Sequence, residues 1–470
     1  MSVNTNGTKK FHLIGIGGAG MSVVAQLLAS SGHQVSGSDQ SDSKTLAALR
    51  GKGINAVSGH QDNNVPADAI VVVSSAVRET NPELKIARQR SQQVWHRSQA
   101  LAYAAEGKDF IAVAGAHGKT TTSGMLASAL TDAGLDPSFA VGGVVLGFAT
   151  GAHLGQGSAF VAEADESDGS FLNYQPRIAI VTNVEPDHLD HYGSVEAFEE
   201  AFAKFADRIK DGGLLIACSD DPGARRLALA CQGRLRVWTY GLESAQQAQV
   251  PPLTHTQILT PNARAEGIEA TLQVGEETGG QTQPLKLGVT GVHNLLNATA
   301  AYLAGRELQV ESEQMATSLG KFTGTGRRFE LRLEHENKRL FDDYAHHPSE
   351  VEAAVAQARL VAGAGKVRIL FQPHLYSRTR NFAGRFAQAL SGADQVILTD
   401  IYGAREDPIA GVSSELIAAQ LPGATVIADR YRAARALAES AQSHDVCVTM
   451  GAGNVTECSS EFEKVWHAQP

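Results

Sequence analysis

Val113-Ala-Gly-Ala-His-Gly-Lys-Thr-Thr-Thr122 decides how this chain of 470 residues is read. The apolar run Phe110 to Ala114 before it has the character of a buried strand. Gly115 and Gly118 let the backbone bend tightly where a Cβ would clash. Lys119 brings a cation and Thr120 a hydroxyl, and T-T-S-G-M-L-A-S-A-L continues as an amphipathic helix. Strand, glycine loop and helix N-terminus together make an anion site, with backbone N–H groups aimed at phosphate. Lys119 is placed to reach terminal phosphates and Thr120 to hold the metal that travels with them. Two residues separate Gly115 from Gly118, where the standard phosphate loop has four; the competing reading is a structural turn before a helix.

The pattern repeats on both sides. Phe11 to Ile16 is a strand, followed by G15-I-G-G-A-G20, a helix from Met21 closed by Gly32, and a second strand that ends at Asp39. Ile70 to Ser74 is a further apolar strand. This alternation predicts a doubly wound parallel sheet. Short buried strands recur at Phe160–Ala162, Ile178–Val181 and Leu214–Ala217. From Glu243 to Leu287 Pro, Thr, Gln and Gly dominate, which suggests a small antiparallel excursion. Helix returns at 291–308. A third unit holds strands 367–371, 395–399 and 446–450. The fold class is therefore α/β in three domains: a Rossmann-like 1–104, a phosphate-loop ATPase-type 105–322 with a parallel sheet, and a Rossmann-like 323–470. The segment near 100–108 and the stretch Gly324 to Arg328 are the expected links, and the first ten residues are expected to be unstructured.

Length alone supports roughly three domains. The apolar share of 43% and charged share of 19% are those of a soluble α/β protein. Forty basic against 50 acidic residues leave −10, which argues against a nucleic-acid partner. Four scattered cysteines without a CxxC pair suit reduced thiols in a cytoplasmic protein. No secretory signal and no membrane span is legible.

Chemistry gathers where strands end. The first glycine loop, with Asp39 beyond it, offers a seat for a pyrophosphate, whether of a nicotinamide dinucleotide or of UDP; Asp39 suits a ribose or base, or a turn cap. V161-A-E-A-D-E-S-D168 crowds Glu163, Asp165, Glu166 and Asp168, a repulsion that a divalent metal would relieve. T182-N-V-E-P-D-H-L-D-H191 puts His188, a candidate ligand for a second metal, among Glu185, Asp187 and Asp190. G291-V-H-N-L-L-N297 opens a helix whose asparagines suit an adenine edge or, for Asn294, a helix cap. D342-D-Y-A-H-H-P348 and F371-Q-P-H-L-Y-S-R-T-R380 bring imidazoles and arginines suited to a carboxylate or a phosphate. Arg328, past the second link, suits a γ-phosphate.

Taken in order, these motifs resemble those of the Mur ligases, the ATP-dependent amide-forming enzymes of peptidoglycan synthesis, and the resemblance spans nearly the whole chain. It implies joining of L-alanine to UDP-N-acetylmuramate with ATP and Mg²⁺, two ions being expected, in a cytoplasmic monomer or weak homodimer that needs neither nucleic acid nor membrane. It implies that Gly15, Gly17, Gly18, Gly20, Met21 and Ser22 cradle the UDP-sugar, with Asp39 and Ser75 beside them. Gly115, His117, Gly118, Lys119, Thr120 and Thr121 would hold ATP phosphates. His293, Asn294 and Asn297 would border the adenine, Asp343 the ribose and Arg328 the γ-phosphate. Thr120, Glu163 and His188 would be the metal ligands, so that Lys119, Glu163, His188 and Arg328 carry the chemistry. Tyr344, His346, Arg378 and Arg380 would surround alanine. The family commonly has Thr where Ala116 stands, and some members have Arg where Leu375 stands. Some use a carbamoylated lysine at the metal site, for which Lys204 is the candidate. The last domain would close over ATP. Rival readings are a ligase that recycles a tripeptide onto the same sugar nucleotide, a folylpolyglutamate synthase, a nicotinamide-dependent dehydrogenase and a non-catalytic nucleotide sensor.

Overall fold

A computed structural model describes residues 7–186, 189–404 and 406–468. Its first sheet has five parallel strands in the order Asn55–Ser58, Gln34–Asp39, Lys10–Ile14, Ile70–Val73 and Val94–His96. A second sheet is built on six parallel strands, Arg236–Gly241, Leu214–Cys218, Ile178–Val181, Asp109–Ala114, Ala159–Glu163 and Ser138–Val145. Thr150–His153 closes one edge antiparallel; at the other His255–Arg264 adds a seventh parallel strand, and Gly267–Gln273 and Thr282–Leu287 follow it. Two residues join the strands ending at Arg264 and starting at Gly267, a connection that only antiparallel neighbours permit. In the third sheet Glu330–His335 pairs antiparallel with Lys338–Asp343, and Val446–Met450, Val367–Phe371, Gln395–Leu398 and Thr425–Val426 follow in parallel.

The central strands are continuous apolar runs because helices cover both faces of a parallel sheet. Ile178–Val181, Val367–Phe371 and Val446–Met450 are buried along their whole length. Each valine, leucine, isoleucine, phenylalanine or methionine among them contributes about 1.5–3 kcal/mol by leaving water, while the buried Arg368 is paired with Asp445. The chain separates into two compact units. One comprises residues 1–260, 271–285 and 296–322, and so holds the first sheet and most of the second; the other comprises 261–270, 286–295 and 323–470.

The expected link at 100–108 is shorter than the sequence suggests. Arg97–Ala104 is a helix, and Ala100, Leu101 and Tyr103 are buried in the same apolar core as Phe110 and Phe160. Of the residues expected to be unstructured, Met1–Asn6 lie outside the described residues, and Lys10 already opens a strand. Among the described residues no helix is long and apolar enough to cross a membrane.

Candidate functional site

Asp109–Ala114 runs into the loop 115–118, and the helix Lys119–Asp132 starts at once behind it. Gly115 and Gly118 take φ of +134° and +85°, which side chains resist. A Cβ on Gly115 would strike the Thr182 hydroxyl, and one on Gly118 would come within 2.7 Å of Asn297 Oδ1. The loop is braced by the end of the strand Ile178–Val181. Asn183 Oδ1 accepts from His117 N at 3.1 Å, while Thr182 Oγ1 and Asn183 Nδ2 donate to His117 O at 2.5 and 3.0 Å. His117 Nε2 lies 3.3 Å from Glu185. Thr120 is buried in the first turn and Thr121 half-buried.

Lys119 turns back on its own loop. Its Nζ donates to Gly115 O at 2.6 Å and to both Glu166 oxygens, at 3.0 and 2.7 Å. Burial opposes its charge, but Glu166, Asp165 and Glu163 outweigh that and hold Lys119 above the ordinary lysine value. Asp165 pairs with Arg97; burial works against this carboxylate too, yet Arg97 and Lys119 keep it well below its usual range. Asp168 accepts from Ser75 Oγ at 2.6 Å and lies 3.5 Å from His96. The acidic crowding read from the sequence is thus largely relieved by protein cations and donors rather than left for a metal. Glu163 is the exception: its Oε1 accepts from Gly142 N at 2.6 Å, a backbone partner instead of a cation. His188, the candidate second ligand, and Asp187 lie outside the described residues. Lys204 does not fit a ligand role, because it is exposed on the helix Val195–Ala206 and paired with Glu200 at 2.9 Å.

In the first sheet Gly15 (φ +79°) turns the chain, and Gly15 N and Ile16 N donate to Ser38 O. Asp39 clasps the loop: Oδ2 accepts from Gly17 N at 2.9 Å and Oδ1 from Gln40 N at 2.8 Å, so the turn-cap reading describes what it does here. Gly18 caps the helix Ala19–Ser30, Met21 packs in the core, and Ser22 Oγ donates to Ala19 O. A Cβ on Gly20 would strike the Arg97 guanidinium. Arg97 therefore stands between the first glycine loop and Asp165, a position that the sequence reading missed. The signal was there: V-W-H is a short strand, and His96 and Gln99 form a capping box that starts the helix carrying Arg97.

Asn294 donates from Nδ2 to Thr290 O at 2.8 Å, a bond back to the preceding turn. Burial lowers His293 to about 4, so its ring is neutral. Asn297 is buried beside Gly118.

At the edge of the third sheet Asp343 is buried, with Oδ1 accepting from Ala345 N and Oδ2 from Phe329 N, both at 2.7 Å. Burial, opposed by Arg328, raises it to about 6. The Phe329 bond pins a turn in which Arg327 and Phe329 both take positive φ, and Arg328 lies over the Tyr344 ring, 3.7 Å from Glu350. His346 Nδ1 is 3.0 Å from Tyr344 O and must be the donor; burial brings this ring down to about 3. Its ring meets those of Tyr344 and His374 edge-on, and His374 Nδ1 lies 3.5 Å from Arg378. Arg378 is buried there, whereas Arg380 is exposed and bonds its neighbour Asn381. Leu375, between His374 and the helix Tyr376–Leu390 that carries Arg378, holds φ +69° and ψ 135°, a strained backbone for a side chain.

Three α/β sheets in succession, with a glycine loop at the first and a lysine-bearing phosphate loop at the second, define a multidomain α/β protein of the nucleotide-binding class. Residues 10–109 match the Mur ligase family, catalytic domain; residues 113–305 the Mur ligase middle domain; and residues 327–453 the Mur ligase, glutamate ligase domain. The chain belongs to the Mur ligase family. It is 48% identical over 461 residues to the UDP-N-acetylmuramate--L-alanine ligase of Renibacterium salmoninarum, covering 98% of this chain and 96% of that one. It is 49% identical over 460 residues to the enzyme of the same name from Kineococcus radiotolerans, covering 96% and 95%. Among solved structures, the UDP-N-acetylmuramate-alanine ligase of Thermotoga maritima superposes with a TM-score of 0.81 at 27% identity, over 98% of this chain and all of that one. A murein peptide ligase of Psychrobacter arcticus, at 23% identity and a TM-score of 0.73, shares the fold.

Proposed function

We propose that this protein joins L-alanine to the carboxylate of UDP-N-acetylmuramate, giving UDP-N-acetylmuramoyl-L-alanine, ADP and phosphate, a step of cytoplasmic peptidoglycan synthesis. The observation that carries this reading is the full-length likeness to enzymes of that name, with a phosphate loop whose lysine and glycines are in place. A carboxylate is a poor electrophile, so the γ-phosphoryl group is first transferred to it, releasing ADP and forming an acyl phosphate. The alanine amine then attacks the acyl carbon, and the tetrahedral intermediate expels phosphate.

The residues divide this work by position. The loop Gly15–Gly20 seats the pyrophosphate of the sugar nucleotide, and Arg97 adds a cation beside Gly20. The amides of Gly115–Thr121, with Lys119, bind the ATP phosphates; Lys119 and Arg328 offset charge on the phosphoryl group in flight. His293, Asn294 and Asn297 are assigned to the adenine, and Asp343 to the ribose. Thr120 and Glu163 offer hard oxygen donors, which fit Mg²⁺, and with His188 they would hold it. Bound Mg²⁺ supplies neutralisation of phosphate charge. His346, neutral and donating from Nδ1, presents Nε2 as an acceptor for the alanine ammonium, and Arg378 takes its carboxylate. Residues 1–104, 105–322 and 323–470 are assigned to sugar nucleotide, ATP and amino acid in turn.

The test is phosphate release from ATP and Mg²⁺ with UDP-N-acetylmuramate, one amino acid at a time. Release that requires both the sugar nucleotide and L-alanine, with a mass gain of one alanyl residue, supports the reading. Release only with a preformed tripeptide overturns it in favour of recycling.

A further inference from the structure

Behind the first glycine loop lies a charged side chain to which the mechanism above gives no part. Glu83 is fully buried at the start of the helix Pro82–Gln89. Its Oε1 accepts from Gln61 N at 3.0 Å and Asn64 Nδ2 at 2.7 Å; its Oε2 accepts from Ser38 Oγ at 2.5 Å and His12 Nε2 at 3.2 Å. Burial alone would neutralise it, but these donors prevail and hold it down to about 2. An ionised carboxylate only accepts, so the single hydroxyl proton of Ser38 is committed to Glu83.

That commitment fixes a second group. Ser38 Oγ also lies 2.8 Å from His60 Nδ1. With the Ser38 proton spent on Glu83, the ring nitrogen has to be the donor, and His60 is the Nδ1–H tautomer with a lone pair on Nε2. His60 follows the strand Asn55–Ser58, and Gly59 N bonds Asp39 O at 2.7 Å. Ser38 O takes Gly15 N and Ile16 N, and Asp39 takes Gly17 N. His60 thus stands beside the glycine loop at the carboxyl edge of the sheet. A nucleoside whose pyrophosphate sits on that loop lies over these strand ends in doubly wound folds. The ring is 23% exposed, and Nε2 has no protein partner among the described residues.

We propose that His60, held as the Nδ1–H tautomer by Glu83 through Ser38, selects the base of the sugar nucleotide by accepting the imide N3–H of uracil at Nε2. Cytosine, whose N3 is itself an acceptor, meets a lone pair there and is rejected. Glu83 acts as a positioning residue. The inference rests on the reading of the first glycine loop as the UDP-sugar site.

Calorimetric titration of the intact chain with UDP and with CDP tests it. The wild type is expected to bind UDP at least about tenfold tighter than CDP, the worth of one hydrogen bond made against one repelled. His60→Ala should bring the two within about twofold while remaining folded, with a thermal midpoint only modestly lowered by loss of the bond to Ser38, and Glu83→Gln should erode the preference likewise. A UDP preference that survives in His60→Ala overturns the proposal. Should Glu83→Gln fail to fold, the ring nitrogen shifts of His60 in the wild type, assigned by their loss in His60→Ala, decide the tautomer; a proton on Nε2 also overturns it. Equal binding of UDP and CDP by the wild type overturns this inference alone. No binding of UDP overturns the sugar-nucleotide reading on which it rests.

Discussion

Replacing Lys119 by Met separates two roles that one side chain performs. Lys119 Nζ sits between the Gly115 carbonyl and the two oxygens of Glu166, which is 1% exposed. Deleting one partner of a buried ion pair costs about 3–5 kcal/mol, because the other charge stays in a poor solvent. Lys119→Met should therefore lower stability by an amount of that order, and not merely turnover. Glu166→Gln removes the other charge. In the double variant part of the loss should return, seen as a coupling energy of about 1–3 kcal/mol in the cycle. Turnover should behave differently. A donor aimed at charge developing on a transferred group is worth about 10²–10³ in kcat, so both variants lacking Lys119 should stay at least about a hundredfold slow. Because its folded value is raised, the lysine contributes fully at neutral pH, and the contribution fades only as pH climbs through that raised value above 10.5. Urea unfolding and phosphate release on the four proteins of the cycle provide both readouts. Stability losses that simply add would refute the ion pair. Lys119→Met turnover within tenfold of wild type would refute the phosphate role.

Other sites answer to simpler tests. Asp343 has a raised folded value of about 6 against 3.8, so its contribution is complete below the unfolded value and is lost as pH rises through about 6, a swing of about 3 kcal/mol; in Asp343→Asn the thermal midpoint of the apo protein should lose this slope between pH 4 and 6. Gly118→Ala forces a side chain into a φ of +85° and toward Asn297, costing about 1–2 kcal/mol, and should weaken ATP binding measured by calorimetry; unchanged affinity would count against the loop geometry. Arg378→Ala should raise the KM for alanine by about tenfold or more, the worth of a charge-assisted bond, while the exposed Arg380→Ala stays within about twofold; the reverse order would move the carboxylate site.

What the sequence discloses is what is contiguous. The strand Ile178–Val181 shows itself because a parallel strand buried on both faces is an unbroken apolar run. Asn55–Ser58 and Val94–His96 escape notice because they are short and only partly buried. The glycine loops are legible for the same reason of contiguity. The acidic stretch Glu163–Asp168 does not show its partners in sequence because they come from elsewhere in the chain: Lys119 is 47 residues from Glu166, and Arg97 is 68 from Asp165. Four carboxylates within six residues look like a demand for metal; with those partners in place Glu163 is the one that keeps a backbone amide rather than a cation beside it. Glu83, 45 residues from Ser38 and 71 from His12, looks in sequence like an ordinary first-turn acid. Leu375 is the sharpest case. Nothing in P-H-L-Y forecasts a backbone at φ +69°, since a leucine there costs energy that a glycine would not. The conformation is imposed from outside: Leu375 N bonds Tyr402 O at 3.0 Å, His374 pairs with Tyr402 across a parallel bridge, and Thr379 closes on Leu375 O behind it. Those bonds fix where His374 ends and where the helix carrying Arg378 begins. Local preference has yielded at the one turn that sets the spacing of the imidazole and the guanidinium assigned to the amino acid.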